Sequence, residues 1–211
     1  MTLYHTQMKP YLLGIAGGSG SGKSTLAYAM RDAFPGNVLI FHLDDYFRPA
    51  EEVPIRAGMQ NWDDPNALYY TKMAKDLAQL AAGEPVTIHT KAPDLNPGFA
   101  RSGQRIPVVF EPKPLIIVEG FLTLHFPKIR KLLDQSIYLD APFAVHSGRR
   151  IHATIHPDEF PSEYTSKVLK PMHDRFVSPS RVYAGLTLNV EKLDKREVLK
   201  RVRNLVMPHV T

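Results

Sequence analysis

The chain alternates short apolar runs with segments whose apolar positions recur at helical spacing. Tyr11 to Ala16 (YLLGIA) is a continuous apolar run, the pattern of a strand buried on both faces. Leu26, Met30, Ala33 and Phe34 then fall at spacings of four, seven and eight, one face of a 3.6-residue period, which predicts a helix. PGNVLIFHLD predicts a turn and a buried strand over 38–43. Tyr70, Met73, Ala74, Leu77 and Ala81 return to helical spacing, with Gly83 as the stop signal. PLIIVEGF reads as a central parallel strand ending in an acid, and QSIYLDAP and AGLTLNV repeat the strand pattern more weakly. Helices are expected over 143–156, 161–177 and about 194–207, the last aligning Val198, Val202, Leu205 and Val206. Pro85, Pro93, Pro97, Pro107 and Pro112 interrupt the stretch before PLIIVEGF, which predicts a loop-rich excursion with room for a small hairpin.

Strands alternating with helices predict an α/β architecture, a mostly parallel sheet with helices on both faces. Its 211 residues suit one domain over 1–211, with an acceptor-site insertion at about 84–113 and a lid at about 146–165. A hydrophobic content of 44% and a charged content of 22% argue for a folded core rather than disorder. No apolar run approaches the ~20 residues that span a bilayer, so no membrane partner is expected. MTLYHTQMKP lacks the parts of a secretory signal, and the absence of cysteine excludes disulfides and thiolate metal sites; both fit a cytoplasmic protein. The net charge of +5 favours anionic ligands, but the basic residues are dispersed, so no nucleic-acid partner is expected. Homo-oligomerisation is left open.

One stretch departs from all these patterns. GGSGSGKST contains G-x-x-x-x-G-K-S between the first strand and the first helix, the phosphate-loop pattern. Gly17, Gly18, Ser19, Gly20, Ser21 and Gly22 let backbone N–H groups turn around phosphate oxygens. The helix that starts near Ser24 and Thr25 adds its positive end. Lys23 can reach the β- and γ-phosphates, and the Ser24 hydroxyl can ligate Mg²⁺.

Two acidic sites suggest what the phosphate is for. Asp44 and Asp45 follow the second strand, and Glu119 ends PLIIVEGF, where loops of such sheets meet their ligands. Glu119 can hold Mg²⁺. A kinase needs a carboxylate for the acceptor's proton and cations for developing charge. Asp44 is the candidate base, also within reach of the metal. Lys23, Mg²⁺ and Arg149 and Arg150 are the candidate cations, with Arg175 and Arg181 weaker. A GTPase switch would need an Asn-Lys-x-Asp string, which the chain lacks. A non-catalytic nucleotide-dependent regulatory module has no need of a base.

GGSGSGKST, LDDYF, NWDDPNAL, IIVEGFLTL, GRRI and KPMHDRFVSPSRVYAGL occur in the order that resembles the uridine kinase and nicotinamide riboside kinase group of phosphate-loop kinases. The likeness spans roughly 15–188. It implies the three-layer α/β/α P-loop NTPase fold, ATP and Mg²⁺ as cofactors, and transfer to the ribose 5′-hydroxyl of a nucleoside. It also implies Asp44 as base, Asp63 on the sugar hydroxyls, Glu119 with Ser24 on Mg²⁺ and Arg149 in the lid. Asp45, Tyr46, His89 and Arg150 are further candidates for substrate contact. Uridine kinases carry Tyr-Asp-Phe where this chain has Lys91, Ala92 and Pro93, and a further lid arginine is replaced near Ala153. These departures leave nicotinamide riboside, pantothenate and sugar phosphates as alternative acceptors, with His89, Lys91 and Asp94 as candidates for reading them.

Overall fold

The computed structural model describes residues 9–145 and 162–210. Five parallel strands form its main sheet in the order β2-β7-β1-β8-β9. They are β1 (Tyr11–Gly17), β2 (Val38–His42), β7 (Leu115–Glu119), β8 (Gln135–Asp140) and β9 (Leu186–Asn189). Two short antiparallel pairs lie outside it: β3 (Ile55–Arg56) with β4 (Met59–Gln60), and β5 (Val86–Thr90) with β6 (Ile106–Phe110).

Alternation along the strands feeds two cores. Leu13, Ile15, Ile40, Leu115 and Ile117 pack against helix α1 (Lys23–Ala33) and the C-terminal helix Lys195–Val206. Leu12, Phe41, Ile116 and Val118 pack on the other face against helix α2 (Tyr70–Ala81) and the β5–β6 hairpin. The sheet is therefore the middle of three layers, as the α/β pattern predicts. β7 is buried along its whole length because strands flank it and helices cover both its faces, which explains its unbroken apolar sequence.

Most boundaries fall near their expected places. β2 ends at His42, one residue early, because Leu43–Tyr46 curls into a 3₁₀ turn. The C-terminal helix starts one residue later than expected, since Asp194 caps it by accepting from the Glu197 amide at 2.8 Å. The expected helix at 161–177 is helical from Ser162, with π turns at Thr165–Leu169 and His173–Val177 around the α turn Lys170–Met172. Pro171 lies in that central turn and lacks an N–H to donate, a local reason for the ladder to loosen there. Of the helix expected at 143–156, residues 143–145 are helical and the rest lies outside the described residues, as does most of the expected lid. Among the described residues no helix is long and apolar enough to cross a membrane.

Candidate active site

The carboxyl ends of β1, β7 and β2 place the functional side chains together, where open α/β sheets bind ligands. After β1 the chain enters the glycine loop. A Cβ on Gly17 would stand 2.5 Å from the Leu139 carbonyl and 2.8 Å from Ser21 Oγ, so only glycine fits. Gly22 has open space around it but a φ of 95°, so there the backbone angle excludes other residues. Helix α1 starts at once, and no side chain caps its first turn, so its amides face the loop. Ser21 Oγ is buried in the loop without a partner. Lys23 is buried and its ammonium donates to the Gly18 carbonyl at 2.9 Å. Uncapped amides, an orphaned hydroxyl and a buried ammonium around one loop fit a polyphosphate.

Strand register builds the second element. Glu119 pairs with His42 across β7 and β2 and with Ile15 across β7 and β1. Glu119 Oε1 accepts from His42 Nδ1 at 2.7 Å and from Ser24 Oγ at 3.2 Å. A hydroxyl and a carboxylate oxygen beside a phosphate cradle suit Mg²⁺, which takes few protein ligands and fills the rest with water and phosphate oxygens. Among the described residues no group of three His, Cys, Asp or Glu side chains is placed to hold a metal.

Burial pushes the His42 pKa down, but the hydrogen bond and charge of Glu119, with Asp45 and Asp44 behind it, outweigh burial and leave the pKa raised above 6.5. A pKa raised on folding means that stabilisation is complete below the unfolded value and is lost as pH rises through the folded one. The metal-free protein should therefore lose thermal stability as pH rises above 6.5, and His42→Gln should flatten that slope. Parallel melting curves for the two proteins would remove the ion pair from the account.

The 3₁₀ turn after β2 sends its two acids in opposite directions. The Asp44 side chain is 52% exposed and opens onto a cavity of about 400 Å³, shared with Ser19 of the loop and with Asp63. Asp45 is turned inward, accepting from Thr90 Oγ1 and the Lys91 amide, both at 2.8 Å. Burial is the main reason that its pKa lies above the ordinary carboxylate value. Tyr46 donates to Asp76 on α2 at 2.9 Å, and His89 is exposed on the outer face of β5. Asp45, Tyr46 and His89, all expected at the substrate, thus do not line the cavity; a turn and a period-two strand direct them elsewhere. Asp94 meets Tyr28 and Arg31 of α1 instead, whereas Lys91 does line the cavity. Arg149 and Arg150 lie outside the described residues. Of the weaker cations, Arg181 pairs with Asp140 and Arg175 stacks over Phe176.

Asp63 is buried and accepts from Tyr164 at 2.8 Å, a partner brought from 101 residues away. Phe47, Trp62, Phe99 and Phe121 supply apolar walls, and Arg48 and Arg105 join Lys91 as cations. Apart from Lys91, sequence reasoning missed these residues along with His42 and Tyr164. Phe47 at the end of LDDYF, Trp62 beside Asp63 in NWDDPNAL, and Phe121 after Glu119 in VEGF carried a signal. A second cavity, about 940 Å³, runs from the loop along Ala29, Leu139, Val190 and Leu199.

With the cradle, the acid and the adjoining cavity assembled, the sequence profile of the phosphoribulokinase / uridine kinase family matches residues 12–197. The chain belongs to the phosphoribulokinase / uridine kinase family. It is 34% identical over 194 residues to the uridine kinase of Bacillus mycoides (strain KBAB4), covering 85% of each chain. It is 33% identical to that of Bacillus cereus (strain B4264) over the same shares. The fold is similar to the structure of a "Possible Uridine Kinase from Bacillus stearothermophilus", with a TM-score of 0.61 and 18% identity, over 85% of this chain and 89% of that one. This family member is a phosphotransferase with an alcohol group as acceptor, in the uridine kinase-like group.

Proposed function

We propose that this kinase transfers the γ-phosphate of ATP to the ribose 5′-hydroxyl of a nucleoside. The observation that carries this reading is the shared cavity, where Ser19 of the phosphate loop, Asp44 and Asp63 face one space of nucleoside size. The uncapped amides, Lys23 and Ser21 hold the β- and γ-phosphates, and the apolar cavity beside the loop takes the donor's base. Ser24 and Glu119 would hold Mg²⁺, which would balance charge on the phosphates. Asp44 accepts the proton of the attacking hydroxyl. Asp63, fixed by Tyr164, accepts hydrogen bonds from the sugar. Arg149 would supply further positive charge. The naming of the curated relatives as uridine kinases supports a nucleoside acceptor.

Ala92 is buried and Lys91 lines the cavity 3.6 Å from Asp44, so this hairpin reads the acceptor differently from a Tyr-Asp-Phe segment. Aromatic walls suit the face of a nucleobase. A coupled ADP-release screen should show turnover with nucleosides well above that with nicotinamide riboside, pantothenate and sugar phosphates. Turnover confined to one of those other alcohols would reassign the acceptor. No stimulation by any of them would remove the kinase reading.

A further inference from the structure

Two cations stand at the neck of the β5–β6 hairpin. Thr90 and Ile106 are its terminal pair, so Lys91 and Arg105 are the first residues on either side of the connecting segment. Both reach the turn that carries Asp44. Lys91 Nζ lies 3.6 Å from Asp44 Oδ2. Arg105 donates to the Phe47 carbonyl at 2.9 Å and to the Asp44 carbonyl at 3.4 Å. Both also line the cavity that contains Ser19 and Asp63. The neck is pinned, because the buried Asp45 carboxylate holds the Thr90 hydroxyl and the Lys91 amide.

The charges around the cavity are unequally matched. Arg48 is answered by Glu52 at 2.9 Å. Lys91 meets Asp44, the carboxylate that faces the acceptor. Arg105 meets only carbonyl oxygens and forms no ion pair among the described residues, which leaves its positive charge uncompensated and three of its five donors unused. A hydroxyl bound to the base sits about 2.6–3.2 Å from a carboxylate oxygen, so cations beside that base also stand beside the phosphoryl moving onto the hydroxyl. A permanent anion of the acceptor at this spot would crowd the incoming phosphoryl with like charge.

We propose that Lys91 and Arg105 are a catalytic cation pair, supplied by the hairpin, that contacts the equatorial oxygens of the phosphoryl in transit. The inference rests on the kinase reading above. The acceptor oxygen bonds to the γ-phosphorus while its proton passes to Asp44. The bond from that phosphorus to the bridging oxygen breaks, and its electron pair leaves with ADP. Lys91 and Arg105 exchange no proton; they balance charge that is most concentrated at the transition state.

The test uses the full chain and the variants Lys91→Met and Arg105→Gln, with Lys91→Arg and Arg105→Lys as charge-preserving partners. Each neutral variant should lower kcat about 10²-fold, with the KM for ATP and acceptor within a few-fold of wild type. The affinity for ADP, Mg²⁺ and aluminium fluoride, measured by titration calorimetry, should fall by a similar factor while that for ADP alone is kept. The charge-preserving variants should recover most of both losses. A raised acceptor KM with kcat intact would assign the cations to acceptor recognition and overturn the proposal. A lowered melting temperature with unchanged aluminium fluoride affinity would make them structural and overturn it equally. An active wild type with unimpaired variants sinks this inference alone, whereas a wild type inactive on every screened alcohol sinks the kinase reading too.

Discussion

Lys23→Ala should abolish phosphoryl transfer, lowering turnover at least about 10³-fold, the range expected when a principal charge at a phosphoryl site is lost. The side chain is buried at the start of α1, and its ammonium lies over the loop, on the Gly18 carbonyl. Alanine favours a helix and leaves no uncompensated charge, so the variant should fold. It should bind ATP more weakly, by about tenfold, because phosphate contacts disappear in the ground state as well as in the transition state. Lys23→Arg should not rescue activity, since a planar guanidinium cannot replace a compact ammonium within the loop. Titration calorimetry with ATP and a coupled ADP assay separate the two effects. Turnover within tenfold of wild type in Lys23→Ala would dismiss the loop as the phosphate grip.

The loop and its flanking elements were legible because their signals are local. An apolar run, a glycine pattern and a helical period follow one another within 24 residues, Tyr11 to Phe34. β7 was legible for a different reason: burial on both faces leaves an unbroken apolar run. The hairpin was harder, since β5 alternates buried and exposed positions, β6 is largely exposed and contains Pro107, and the two pair across a fifteen-residue segment, 91–105. Asp44 and Asp45 look equivalent in sequence. A 3₁₀ turn separates successive side chains by about 120°, so one acid faces the cavity and its neighbour faces the hairpin. His42 depends on β2 and β7 being neighbours in the sheet, which brings together residues 77 positions apart. Tyr164 and Arg105 likewise become site residues only through tertiary packing. Local chemistry was readable, whereas partners delivered by topology were not.

Asp44→Asn should leave a folded protein that binds ATP and acceptor but transfers phosphate about 10²-fold more slowly or worse, the usual contribution of a general base. The substitution keeps the shape of the side chain. Its half-exposed carboxylate pairs with Lys91 and with no group of either core, so little stability is at stake. What changes is the ability to take a proton. The loss should therefore appear in single-turnover rates at saturating substrates, with KM values within a few-fold of wild type. Asp63→Asn is the discriminating companion. Asp63 is the other carboxylate in the cavity and is held by Tyr164, so its amide variant should raise the acceptor KM more than it lowers kcat. If Asp44→Asn retained near-normal turnover while Asp63→Asn lost it, the base would be Asp63 and the two roles would exchange. The geometry argues for the first assignment: Asp44 shares its turn with the end of β2, next to Glu119 and the loop, whereas Asp63 reaches the cavity from outside the sheet.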